Sequence, residues 1–253
     1  MKTIDARDID VVILCGGLGA RFQSVVSDRP KPMAEINGKP FLDILIDYTG
    51  AFGFRRFILC AGYKAEIVEA HYKNQKRERE IIVSREDAPL GTGGAVKNAE
   101  TLIHSGTFLV MNGDSFCPLD LRGFATFHSG KKALVSIALV NAEANGEYGE
   151  ITLGASQRIK KFDEKVEGRK KGLINAGIYI FDAAILSMLP RGEKFSLEYE
   201  LFPKIVDKEV YGYVTDKPFI DIGTPERFRN AGQALKKAGV YESNFISPGF
   251  KRD

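Results

Sequence analysis

The stretch Val11-Val12-Ile13-Leu14-Cys15-Gly16-Gly17-Leu18-Gly19-Ala20-Arg21 decides the architecture. Its β-branched start reads as a buried strand, and its glycines read as the loop at the strand's C-terminal end. A glycine-rich loop in that place can bring several backbone N–H groups close to a phosphate. The cations set this loop apart. Arg21 follows the glycines directly, and Lys31 stands further on in Pro30-Lys31-Pro32, pinned by a proline on each side. Two fixed cations beside such a loop suit a triphosphate on which negative charge builds up during reaction.

Downstream, apolar strands alternate with amphipathic helices. The pattern predicts strands at 56–61, 80–84 and 107–112, and helices at 41–52, 64–72 and 93–104. This β-α-β-α order implies a mostly parallel sheet between layers of helices. Sites in such sheets lie at the carboxyl ends of the strands. The glycine loop is in that place, and so is Asn112-Gly113-Asp114. The second half predicts strands at 133–140, 150–152, 158–162, 177–181 and 209–214, a short helix at 183–189 and a last helix at 224–238. From Val240 on the tail reads as irregular, a cover for a surface or for a partner such as a second copy in a homo-oligomer.

Bulk properties narrow the function. The chain has 253 residues, 44% of them hydrophobic and 27% charged, enough for one large α/β domain or two small ones. Its net charge of +3 is too mild, and its basic residues too dispersed, to predict nucleic acid as a partner. The densest basic run, Lys73 to Arg79, is interrupted by Asn74, Gln75 and Glu78 and reads as a solvated face. No apolar h-region precedes Val11, and no apolar run is long enough to insert in a membrane. The cysteines Cys15, Cys60 and Cys117 are widely spaced and each ends an apolar run, so they read as small buried residues. A reduced, cytoplasmic protein is the simplest reading.

Two carboxylates stand at predicted strand ends far apart in the chain: Asp114, and Asp221 in Phe219-Ile220-Asp221-Ile222-Gly223. Mg²⁺ takes one or two protein carboxylates and completes its octahedron with phosphate oxygens and water. Taken singly, each aspartate is equally a turn or cap residue. A second glycine-rich loop, Pro89-Leu90-Gly91-Thr92-Gly93-Gly94, follows Glu86 and opens a helix. Its glycines serve either tight strand–helix packing or a slot for a flat base. Glu86 is either a surface charge or an acceptor for the N1–H and N2 amine of guanine, a donor pair that uracil and thymine lack. Glu164-Lys165, Asn175 and the pair Tyr148-Gly149 could hold a sugar phosphate, or be exposed charges and turns.

Together these motifs, in this order from about Val11 to about Arg229, resemble the sugar-1-phosphate nucleotidyltransferases. That family carries Gly-Gly-x-Gly-Thr-Arg with Pro-Lys-Pro a fixed distance on, a Gly-Asp after the central strand, a Glu-Lys, an Asn-Ala-Gly and a late metal aspartate. Here they read Gly16 to Arg21, Pro30 to Pro32, Gly113-Asp114, Glu164-Lys165, Asn175-Ala176-Gly177 and Asp221. Within the family the chain looks most like the guanylyltransferases of D-glycero-α-D-manno-heptose 1-phosphate. Pro89 to Ala95, Glu164-Lys165-Val166, Gly172 to Asn175 and Glu193 to Ser196 carry that likeness. Ala20 departs from the usual Thr, and Val166 from the usual proline after Glu-Lys.

The resemblance implies a Rossmann-like three-layer α/β/α fold with a mixed, mostly parallel central sheet, of the nucleotide-diphospho-sugar transferase type. Residues 1–239 would form one domain, with a nucleotide-binding half over about 10–130, a sugar-phosphate half over about 131–239, and a tail over 240–253. It implies attack of a sugar 1-phosphate on the α-phosphorus of a nucleoside triphosphate, GTP by the lean of Glu86, with pyrophosphate leaving. The product would serve surface-polysaccharide synthesis. Arg21 would hold the pyrophosphate and Lys31 would bridge the two reacting phosphates. Leu14, Gly16, Gly17, Gly19, Glu86, Gly91, Thr92, Asn112 and Asp114 would bind the nucleotide. Tyr148, Gly149, Glu164, Lys165 and Asn175 would bind the sugar phosphate, and Asp114 with Asp221 would hold Mg²⁺.

Rival readings fit less well. A dinucleotide-dependent oxidoreductase wants Gly-x-Gly-x-x-Gly opening a helix that Pro30 to Pro32 would break. A regulatory relative that binds nucleotide without turnover would be expected to lose Arg21, Lys31, Asp114 or Asp221, and all are present.

Overall fold

A computed structural model of the chain describes residues 5–19, 26–73, 78–142, 149–163 and 172–240. The chain runs through β1 (Asp10–Leu14), the small hairpin of β2 (Glu35–Ile36) and β3 (Lys39–Pro40), α1 (Phe41–Ala51), β4 (Arg56–Ala61) and α2 (Ala65–Lys73). Next come β5 (Glu80–Arg85), α3 (Gly91–Asn98), β6 (Thr107–Asn112), β7 (Ser115–Phe116) and α4 (Leu121–Lys131). The last part holds β8 (Val135–Ala142), β9 (Glu150–Leu153), β10 (Ile159–Asp163), β11 (Gly172–Asp182), β12 (Val210–Thr215), β13 (Ile220–Asp221) and α5 (Pro225–Lys237).

A nine-stranded sheet orders β10-β9-β11-β6-β1-β4-β5, and β8 pairs with both β11 and β12. β1 pairs in parallel with β4 on one side and β6 on the other, while β11 runs antiparallel to β6 and β8. The sheet is therefore mixed, parallel through its first half, with helices on both faces. Side chains alternate across β1 as strand geometry requires. Val11 and Ile13 enter one core with Phe41, Leu45 and Phe57, and Val12 enters the other with Val96, Phe108 and Phe181. A strand buried on both faces reads as the unbroken apolar run seen at the start of the chain.

Connectivity places the site. From β1 the chain moves through α1 to β4 and through α2 to β5, then returns past β1 through α3 to β6. The carboxyl end of β1 is thus the point where strand order reverses, where open α/β sheets leave a crevice for ligands. The opposite end is anchored. Asp10 is buried and accepts hydrogen bonds from Arg56 Nη1 at 2.8 Å, His104 N at 2.6 Å and Ser105 N at 2.9 Å. Burial pulls its carboxyl upward, and these donors together hold it below the usual carboxylate range.

Most predicted elements fall within two residues of their observed bounds, and the differences have local causes. α3 spans Gly91–Asn98, not 93–104, and a 3-10 turn at Glu100–Leu102 follows it. The second glycine loop is therefore the first turn of a helix. β11 starts at Gly172 rather than Gly177, because the strand passes through Gly177 at φ 69°, a conformation glycine adopts without a Cβ clash. The register against β8 shifts between Asn175 and Tyr179 as a result. Residues 183–188 are 3-10 turns. The sequence reading had no counterpart of α4, which Asp120 caps by accepting from Arg122 N and Gly123 N, nor of the β7–β13 ribbon. Cys15, Cys60 and Cys117 are buried free thiols, and no helix among the described residues is long and apolar enough to cross a membrane.

Candidate active site

Two cavities meet at the carboxyl end of β1. The smaller, about 230 Å³, is lined by Leu14, Gly16 and Gly17 from the first loop, Glu86 and Pro89 after β5, and Gly91 and Thr92 from α3. The larger, about 660 Å³, is lined by Gly149, Asn175 and Gly177 from the antiparallel half, by Phe162 and Phe202, and by Asp221. Lys31, Thr92, Asn112 and Asp114 line both. Of the residues expected on the nucleotide, Gly19 alone lies off the small cavity, packed instead toward the Lys31 side chain. Arg21, Tyr148, Glu164 and Lys165 lie outside the described residues.

The first loop leaves β1 with Cys15 N donating to Cys60 O at 2.9 Å and Gly113 N donating to Leu14 O at 2.8 Å. Gly16 packs directly on Glu86: a Cβ added there would lie 2.5 Å from Glu86 Oε1 and 2.9 Å from Gly62 N. Only glycine lets the loop backbone come this close. Glu86 is 8% exposed, which removes its reading as a surface charge. Burial pushes its carboxyl upward, opposed in part by the hydrogen bond that Leu90 N donates to Oε2 at 3.2 Å. A buried acceptor with one backbone partner thus lines the small cavity.

The carboxylates converge through tertiary pairing. β13 runs antiparallel to β7 with Asp221 opposite Ser115, and Ile222 N donates to Asp114 O at 3.0 Å. This sets Asp221 beside Asp114, whose neighbour in sequence is Ser115. Lys31 forms an ion pair with Asp114, and its side chain is only 14% exposed. Asp221 Oδ1 accepts from Gly223 N at 2.8 Å and pairs with Arg227 Nη1 at 3.3 Å. Two carboxylates and two cations therefore share one wall, where phosphate oxygens and a divalent ion can exchange partners among them.

A group of polar residues divides the cavities. Glu198 Oε2 accepts from Thr92 Oγ1 at 2.6 Å and Ser196 Oγ at 3.0 Å, and its Oε1 accepts from Tyr179 OH at 3.0 Å. The Tyr179 hydroxyl in turn accepts from Asn175 Nδ2 at 2.8 Å, and Gly177 N donates to Asn175 Oδ1 at 2.8 Å. Asn175 thus spends its oxygen on the backbone and keeps one N–H for the cleft. Glu198 and Tyr179 had no part in the sequence reading. Only the neighbouring segment Glu193 to Ser196 drew notice there, as a subfamily mark. It docks on α3, with Gly93 N and Gly94 N donating to Phe195 O at 2.8 and 3.1 Å.

Comparison with known proteins identifies the family to which this fold belongs. The family model for nucleotidyl transferases matches residues 10–238. A D-glycero-alpha-D-manno-heptose 1-phosphate guanylyltransferase of Aneurinibacillus thermoaerophilus is 38% identical over 90% of this chain and 99% of its own. A mannose-1-phosphate guanylyltransferase of Mycobacterium tuberculosis is 34% identical over 88% of this chain and 63% of its own. HddC from Yersinia pseudotuberculosis, solved in complex with GMP-PN, superposes with a TM-score of 0.78 at 37% identity, covering 90% of this chain and 99% of HddC. A match that runs from the first strand to the last helix, over a fold shared with HddC, leaves one conclusion: the protein belongs to the nucleotidyl transferase family.

Proposed function

We propose that the protein transfers GMP from GTP to D-glycero-α-D-manno-heptose 1-phosphate, forming a GDP-sugar and releasing pyrophosphate. The observation that carries this reading is the wall shared by the two cavities, where Lys31 and Asp114 stand, with Asp221 next to Asp114 on the larger cavity. The small cavity takes the guanosine end, with Glu86 accepting from the base and the backbone of Gly16, Gly17 and Gly91 along the nucleotide. The larger cleft takes the sugar phosphate against Gly149 and Asn175. The names of the relatives support guanine as the base and a manno-configured sugar phosphate as acceptor.

Catalysis by these residues is positioning and charge stabilisation. Lys31 holds the two reacting phosphates in line. The attacking phosphate is already an anion, so no general base is required. The donor set fits Mg²⁺: two hard carboxylates, Asp114 and Asp221, on neighbouring backbone segments that both line the larger cavity, with the remaining positions left to phosphate oxygens and water. When bound there, Mg²⁺ neutralises charge on the α-phosphate. Arg21 and Lys165 take the pyrophosphate and the incoming phosphate on the strength of the family resemblance. A mannose-1-phosphate guanylyltransferase is the second reading, favoured by the relative from Mycobacterium tuberculosis. The two sugars differ by one carbon beyond C6.

The test is a matrix of four nucleoside triphosphates against several sugar 1-phosphates, with and without Mg²⁺, read by pyrophosphate release. GTP with the heptose 1-phosphate is expected to be fastest and to need Mg²⁺. Faster turnover with mannose 1-phosphate moves the assignment to the second reading. Silence with every pair removes the enzyme.

A further inference from the structure

The larger cavity has two characters. The wall it shares with the small one is polar, with Lys31, Asn112 and Asp114. Ile151, Phe162, Tyr199, Phe202 and Pro203 also line it, and none of these lines the small cavity. Two of the rings are already spent on the fold. Phe202 is fully buried, and Phe162 stacks on it with centroids 5.7 Å apart and planes at 22°. Tyr199 differs. It is 73% exposed, more than any other large hydrophobic side chain among the described residues, and among them it makes no ring contact. A lone exposed aromatic is ordinary on a protein surface. Here the backbone beneath it is anchored while the ring is left out. Tyr199 N donates to Ser196 Oγ at 3.2 Å, and Ser196 N donates to Glu200 Oε2 at 2.8 Å. Leu197 and Leu201 on either side are buried. An anchored turn thus presents an aromatic ring to the cavity that also holds the Lys31 wall.

We infer that Tyr199 is an acceptor-binding residue, a platform at the rim of the larger cavity on which the C–H face of the sugar ring stacks. The inference rests on the assignment of that cavity to a sugar 1-phosphate. Such a ligand has the same two characters as the cavity. Its phosphate is charged and belongs at Lys31, while its ring carries hydroxyls at the edge and carbon-bound hydrogens on its faces. Those hydrogens are partly positive, and the face of an aromatic ring is negative. Stacking therefore adds attraction to the burial of apolar area on both partners. The ring hydroxyls stay at the edge, in reach of Asn175 in the same cavity. Tyrosine has few side-chain torsions, so holding its ring costs little. A nucleobase has a flat face too, but Tyr199 does not line the small cavity that contains Glu86.

Steady-state kinetics of the full chain, read by pyrophosphate release, test it. The sugar phosphate is varied at saturating GTP, and GTP at saturating sugar phosphate. Mannose 1-phosphate and the heptose 1-phosphate are both used, and both should respond because they present the same ring. Tyr199→Ala is expected to raise KM for the sugar phosphate about 10-fold, equivalent to about 1.4 kcal/mol, with KM for GTP within about 2-fold of wild type. Tyr199→Phe keeps the ring and the wild-type KM. Tyr199→Leu keeps an apolar side chain without the ring and loses most of the affinity. The side chain is exposed, so all three variants are expected to melt with wild-type midpoints. A KM for the sugar phosphate within about 2-fold of wild type in Tyr199→Ala overturns the inference, as does a KM for GTP that rises alongside it. Wild-type behaviour in Tyr199→Leu reduces the ring to an apolar cover, and a loss in Tyr199→Phe moves the effect to the hydroxyl; either result overturns the stacking platform. No pyrophosphate from wild-type protein with any nucleotide and sugar phosphate instead overturns the functional reading.

Discussion

Single residues carry the chemistry, and their environments say how much each should matter. Lys31 is largely buried against Asp114, and Asp221 is held by Gly223 N and Arg227. Neither supports a core, so Lys31→Ala and Asp221→Ala are expected to fold normally. Each should lose about 10²–10³-fold in turnover, the scale seen when one preorganised charge-stabilising group is removed. Near-native rates in either variant would refute its role. Glu86 makes a sharper case, because its carboxylate is buried in the small cavity. Glu86→Gln keeps the volume and replaces an acceptor oxygen with a donor. Its kcat/KM for GTP is expected to fall about 10–100-fold while that for ATP does not fall, narrowing the preference. An unchanged GTP:ATP ratio would show that Glu86 does not read the base. Its acceptor chemistry was legible in the sequence, whereas its burial was not: that comes from the close approach of Gly16.

At the scale of elements, two short pieces do work that no periodicity announces. The β7–β13 ribbon has two residues on each strand, too few for any alternating pattern, yet it sets Asp221 next to Asp114. The turn at Leu197–Leu201 delivers Glu198 to Thr92 across more than a hundred residues of chain. α4 was invisible for another reason. Its face is interrupted by Gly123 and Gly130, so its helical period is weak, and Asp120 supplies the start signal alone. No residue of α4 lines either cavity. Asp120→Ala should therefore cost about 1 kcal/mol of stability, read by denaturant melting, with kcat/KM unchanged well below the melting range. A loss of activity without a loss of stability would mean that α4 supports the site.

The whole molecule responds to pH through a group remote from the chemistry. His128 is 3% exposed and shares a hydrogen bond of 2.9 Å with buried Ser136. Burial lowers its pKa from 6.5 to about 4, against a small opposing pull from Asp182. Below pH 6.5 the unfolded chain binds a proton that the folded chain refuses, so stability is full above that pH and falls as pH drops toward about 4. The loss reaches about 3 kcal/mol at the lower end. Unfolding midpoints measured from pH 7 to pH 4 should fall less steeply in His128→Leu than in wild type. Parallel curves would remove His128 from the account.

The sequence by itself determined the alternation of strands and helices apart from α4 and the shortest strands, the glycine loop at the end of β1, and the identity of the charged groups. Those signals are local: a β-branched run, a glycine cluster, a lysine between prolines. The rule that parallel sheets open their sites at carboxyl ends turned them into a location. Only the tertiary structure decided that Asp221 stands beside Asp114, that Glu86 is buried under Gly16, and that Glu198 ties Thr92 to Tyr179. Each of these joins residues distant in the chain through strand pairing or close packing. Neither leaves a period or a composition for a linear reading to find.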